Sequence, residues 1–184
     1  PFEKLFARVG MEVINVERIT PQGGSIRVMV QKLGGDIKRD NSVDDLIALE
    51  YKLGLDRVDT LSRFNARINT IRDRLQKLIY SLKKEGKTIA GFGAPTKATT
   101  LMAHFGLDET MLDFIVDDNP LKQGLFTPIT HIPVLSSEAL YDRKPDYLLI
   151  LAWNFSKPIM KMHKKYSNEI GKFIIPMPEP KVVS

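Results

Sequence analysis

Downstream of Gly86 the chain alternates short apolar runs with helical stretches, and this alternation restricts the fold more than any other feature. The runs are Thr88 to Phe92, Met111 to Val116, Ile132 to Leu135, Tyr147 to Ala152 and Lys172 to Ile175. Helical spacing fits Thr96 to Phe105, Ser136 to Tyr141 and Phe155 to Tyr166. Strands that are apolar along their whole length need cover on both faces, and repeated strand–helix units supply it through parallel crossovers. The expected fold is α/β: a Rossmann-like, mostly parallel sheet with helices on both faces. Ligands of such sheets bind outside the carboxyl ends of the strands, near the point where the strand order reverses.

Upstream of that region the pattern differs. Phe2, Leu5, Phe6 and Val9 recur at helical spacing before Gly10, and two alternating runs, Met11 to Ile19 and Ser25 to Val30, flank Thr20-Pro21-Gln22-Gly23-Gly24. A helix followed by a β-hairpin is expected. About 30 residues of this kind cannot bury their own apolar face, so the hairpin is expected to complete a sheet edge supplied by other sequence. Residues Lys32 to Ser42 read as a connector. Ser42 is expected to cap a helix with Asp45 in its first turn and Leu46, Leu49 and Leu53 on one face, ending near Gly54. From Val58, the positions Leu61, Phe64, Ile68, Ile71, Leu75, Leu78 and Leu82 step by threes and fours, which predicts a long amphipathic helix. Its basic residues read as a solvated face, with coiled-coil dimerisation as the sharper alternative. Three regions result: 1–31, 32–85 and 86–184.

Composition narrows the function classes. There is no cysteine, so thiol redox chemistry and thiolate metal sites are excluded, and His104, His131 and His163 lie too far apart to suggest a metal site. No apolar run approaches the roughly 20 residues needed to cross a bilayer, and no signal-peptide pattern opens the chain. A soluble cytoplasmic protein with no membrane partner is expected. The formal charge of +5 favours anions, but 27 basic residues are interspersed with 22 acidic ones. An anionic small molecule such as a sugar nucleotide fits this balance, and a nucleic-acid partner is not expected. The first residue is Pro1, and the expectation is a piece of a longer protein.

Candidate binding residues fall at the ends of three runs. Gly91 and Gly93 close the first, and Ala94, Pro95, Thr96 and Lys97 lead into a helix. Small residues allow close approach, amides at a helix start suit phosphate, Thr96 is a potential cap or phosphate donor, and Lys97 adds charge. Thr96 stands where the dinucleotide fingerprint needs its third glycine, which argues against a nicotinamide oxidoreductase. Asp117 directly follows the second run, roughly twenty residues or a little more beyond the Gly-rich turn, where an acid can accept ribose hydroxyls; Asn119, Lys122 and Gln123 extend that loop. An Asx turn closed by Pro120 is the plainer explanation. Trp153, with Asn154 and Phe155, offers a flat face beside an amide for a base or sugar, or packs in the core. In the hairpin, Arg27 is a candidate bidentate anion clamp. No nucleophile with a base, and no paired carboxylates, can be picked out.

Four stretches together carry a family resemblance: Gly91-Phe92-Gly93-Ala94-Pro95-Thr96-Lys97-Ala98-Thr99-Thr100-Leu101, Val116-Asp117-Asp118-Asn119-Pro120-Leu121-Lys122-Gln123-Gly124, Ile150-Leu151-Ala152-Trp153-Asn154-Phe155 and Pro176-Met177-Pro178-Glu179-Pro180. In this order they resemble the C-terminal domain of S-adenosylmethionine-dependent sugar C-methyltransferases, which act on nucleotide-linked deoxysugars. Residues 1–30, including Gly23-Gly24-Ser25-Ile26-Arg27-Val28, resemble the tail of that family's central domain. The resemblance implies a three-part parent with a zinc-binding N-terminal region, a central domain holding S-adenosylmethionine, and this module. It implies that the cofactor belongs to the full-length parent and that none binds the present piece. No residue here matches the family's cofactor-binding or proton-abstracting motifs. The implied role is to hold the sugar nucleotide while the other domains, as partners, perform the transfer. The alternative is a noncatalytic interaction module, a homo-oligomer built on the long helix.

Overall fold

The computed structural model describes residues 1–184, which divide into two compact units, Pro1–Asn65 and Ala66–Ser184.

The first unit contains helix α1 (Phe2–Ala7), strands β1 (Met11–Ile19) and β2 (Ser25–Lys32), helix α2 (Asn41–Lys52) and the first residues of α3 (Val58–Lys84). Strands β1 and β2 form an antiparallel hairpin through Pro21–Gly23, with a bulge between Val13 and Asn15. The hairpin pairs with no other strand of the chain; α1 and α2 pack against β1, where Val13, Ile14 and Val43 are buried. Helix α2 is capped by Asp40 rather than by Ser42, and Asp44 rather than Asp45 is the acid of its first turn. The Asp40 side chain accepts from the Ser42 amide at 2.8 Å, and the Ser42 hydroxyl accepts from the Val16 amide at 3.1 Å. Ser42 is thus a tie to β1, which displaces the cap by two residues.

The second unit is the expected mixed α/β sheet. Its strands are β3 (Ile89–Phe92), β4 (Phe114–Val116), β5 (Val134–Leu135), β6 (Tyr147–Ile150), β7 (Lys172–Ile175) and β8 (Lys181–Val183), in the order β5-β4-β3-β6-β7-β8. All neighbours are parallel except β7 and β8. Side chains along β3 alternate between two cores, as period-2 geometry requires. Ile89 joins Ile115, Leu149 and Ile174 under α3 and α4 (Thr96–Phe105), while Ala90 and Phe92 join Phe114, Ile150 and Phe173 under α5 (Ala139–Arg143), α6 (Ser156–Met162) and α7 (Lys164–Glu169).

Three expectations needed correction. Met111 and Leu112 are buried but precede β4, because their amides bond back to the Asp108 carbonyl at 3.1 and 3.0 Å and hold a turn. The expected helix from Ser136 begins only at Ala139. The expected single helix from Phe155 to Tyr166 breaks at His163, whose ring is buried against Phe92 with centroids 4.9 Å apart. From Ile71 onward the apolar stripe of α3 is spent inside the unit, since Ile71, Leu75, Ile79 and Leu82 are all buried. That stretch has no free seam for a coiled coil.

Candidate functional site

The chain runs from β3 outward through β4 to β5, then returns to β6 on the opposite side of β3. The strand order therefore reverses between β3 and β6, and their carboxyl ends flank the crevice where ligands of open parallel sheets bind. Gly91 contributes to this region from within. It is buried, and a Cβ there would lie 2.8 Å from Ile115 and 3.0 Å from Leu151, so its hydrogen leaves space that neighbouring strands fill. Gly93 makes the turn itself, with φ +88 and a notional Cβ 2.9 Å from Ala152. Only glycine takes both that conformation and that approach without strain.

Helix α4 begins without a side-chain cap. Its N-cap is Pro95, with Thr96 as the first helical residue, so the expected cap by Thr96 is not made. The Ala98 amide bonds to the Pro95 carbonyl at 2.8 Å. A helix start normally leaves four amides in want of acceptors, and proline has no side-chain oxygen to take one. The amides of Thr96 and Lys97 head the helix with the positive end of its dipole behind them.

Asp117, at the end of β4, ties the first two loops into one body. One carboxylate oxygen accepts the Ala94 amide at 2.7 Å and Lys122 Nζ at 3.0 Å, and the other accepts the Asn119 amide at 2.9 Å. Its backbone carbonyl accepts Gln123 Nε2 at 2.9 Å, and the Asn119 side chain accepts the Leu121 amide at 3.0 Å, an Asx turn. Burial opposes ionisation of Asp117, but the two amides and the Lys122 ammonium outweigh it and hold the carboxyl below its ordinary range. Because the folded-state value is lowered, the stability this group contributes is complete above about pH 4 and is lost as pH falls further. Asp117→Asn is expected to cost about 2 kcal/mol in urea denaturation at pH 7, because it turns a donor toward an amide and leaves the Lys122 charge unpaired.

The third loop faces the first across the switch point. Trp153–Phe155 forms a single 3-10 turn, and Lys97 Nζ lies 5.2 Å from the Trp153 ring centroid and 5.6 Å from that of Phe155. Trp153 is half-buried against the core, while Asn154 and Phe155 are exposed. Two rings of this one turn lie within cation–π reach of the lysine and keep its charge near the helix start. Arg27 belongs to the first unit, on β2, where it pairs with Glu17 at 3.0 Å.

Sequence reasoning singled out Lys122 and Gln123 but missed the apolar residues that follow them in the segment 121–134. Its Leu125, Phe126 and Pro128 wall a cavity of about 270 Å³, whose other side is Ala94, Pro95 and Thr96. Four exposed apolar residues within nine positions, Leu121, Leu125, Phe126 and Ile129, were the available signal.

A mostly parallel six-stranded sheet whose order reverses between β3 and β6 defines a Rossmann-like unit. Residues 20–178 match the family model of the C-methyltransferase C-terminal domain, and the chain belongs to that family. C-methyltransferase NovU of Streptomyces niveus is 36% identical over 180 residues, covering 98% of this chain and 43% of NovU. The chain thus spans less than half the length of this relative. No helix is long and apolar enough to cross a membrane.

Proposed function

We propose that this chain is the substrate-holding, C-terminal part of a cytoplasmic C-methyltransferase whose substrate is a nucleotide-linked deoxysugar. The observation that carries the reading is the start of α4 at the switch point, where Pro95 supplies no side-chain cap and the Lys97 ammonium lies over the Trp153 and Phe155 rings. A diphosphate linking nucleoside and sugar is the part of such a substrate that amides, a helix dipole and a lysine recognise together.

The methyl donor of the whole protein would be S-adenosylmethionine. This unit does not fit it: a cofactor ribose in this topology asks for a free acid at the end of β4, and Asp117 there already accepts from Ala94, Asn119 and Lys122. The same commitment gives Asp117 a positioning role toward the sugar nucleotide. The unit therefore orients substrate for chemistry carried out by the other domains of the full-length protein, and alone it is inactive in transfer.

Calorimetric titration with thymidine diphosphate tests the reading. Lys97→Ala is expected to weaken binding about tenfold by removing one charge-assisted contact, with circular dichroism showing the fold retained. Unchanged affinity would remove Lys97 from the site, and no binding to the unaltered chain would count against the whole assignment. A second reading, a self-associating interaction module, is favoured by the exposure of Val58, Leu61 and Phe64 at the start of α3.

A further inference from the structure

We infer that the cavity between α4 and the segment 121–134 receives the base of the nucleotide, so that this unit recognises its substrate by the end that does not react. The inference rests on the reading of the rim as a sugar-nucleotide site.

Three observations support it. The cavity is continuous with that site, because Ala94, Pro95 and Thr96 belong to both. Its volume, about 270 Å³, falls just below the roughly 300–1,000 Å³ typical of ligand pockets, so it takes one ring system rather than a whole sugar nucleotide. Its walls suit a flat heteroaromatic ring: Pro95, Met102, Phe126 and Pro128 supply apolar faces, and Thr96 and Thr99 supply hydroxyls for polar edges. The Thr127 hydroxyl is not available for this, since it pairs with Thr130 at 2.8 Å and accepts the Ile132 amide at 2.9 Å.

The deoxysugar is the competing occupant, and accessibility argues against it. A carbon that is to be methylated must reach a donor for which this unit has no site, so the sugar has to point away while another part of the molecule is gripped. Binding energy drawn from a remote, unreacting group can then be used to orient the reacting one. Phe126 is 64% exposed and Leu125 57% exposed, and a bound ring would cover both.

The experiment compares thymidine diphosphate with inorganic pyrophosphate by calorimetry on the 184-residue chain and on two variants. Thr99→Phe fills the cavity, and Phe126→Ala removes an exposed wall, so the second variant keeps the test open if the first fails to fold. Thymidine diphosphate is expected to bind the unaltered chain at least about tenfold more tightly than pyrophosphate, and each variant to erase that difference while leaving pyrophosphate affinity unchanged. Equal affinity for the two probes in the unaltered chain, or variants that retain the difference, would overturn the base pocket and leave the phosphate site standing. Failure of both probes to bind would overturn the rim reading and the pocket with it.

Discussion

Leu75→Asp is expected to unfold the second unit rather than to dissociate a dimer. Leu75 has no exposed surface and packs with Ile71, Ile79 and Met102 beneath the sheet. Truncating a buried leucine costs about 2–5 kcal/mol, and a carboxylate in its place must also be stripped of water or protonated. The combined cost, at least about 4 kcal/mol, takes most of the stability of a domain of this size. Urea denaturation followed by circular dichroism measures it, with Leu61→Asp as the control. At 56% exposure, Leu61 should accept a charge with little change in stability. If sedimentation instead showed a folded Leu75→Asp monomer derived from a dimer, α3 would be an assembly seam and the assignment of its stripe to the core would fail.

Gly171→Ala is the second substitution expected to act strongly, although it adds only one methyl group. The added carbon would lie 2.5 Å from the Asp146 carbonyl oxygen and 2.6 Å from that of Pro145, and would also meet the Tyr166 hydroxyl. Two of these neighbours are backbone and cannot rotate away. The Tyr166 hydroxyl donates to the Pro145 carbonyl at 2.8 Å from a buried position, and burial raises its pKa. Relief of the clash requires either loss of that bond or movement of the start of β7, whose Lys172 amide bonds to Asp146 at 2.9 Å. A loss of about 3 kcal/mol is expected in thermal or urea denaturation, at the upper end for overpacked sites. A loss below about 1 kcal/mol would mean that the α7–β7 turn is looser than its hydrogen bonds indicate.

Most of the fold was legible in the sequence because burial on both faces writes itself as continuous apolar runs. The five runs contain the five strands β3 to β7, and the hairpin followed from alternation around Gly23-Gly24. An apolar run reports burial and not extension, which is why Met111 and Leu112 were read as strand although they lie in a turn. Strand β8 was missed because its three residues follow Pro180, and only pairing with β7 makes them extended. The break at His163 depends on a ring contact with Phe92, seventy-one positions away in sequence, that no local pattern encodes. At the rim, residue types and loop order could be read, but the division of labour among them could not. Gly91 looked like a ligand contact and fills a packing need. The ties from Asp117 to Ala94 and Lys122 exist only once β3 and β4 lie side by side.

Both margins of the six-stranded sheet are blunted. One ends in β5, with two residues, and the other in β8, a short reversed strand that carries Lys181. Brief, charged or reversed margins give an incoming backbone little length on which to build a ladder. Another polypeptide that joins this unit must therefore seat itself on side chains of the helices and loops, and its fit will depend on shape and charge instead of main-chain pairing.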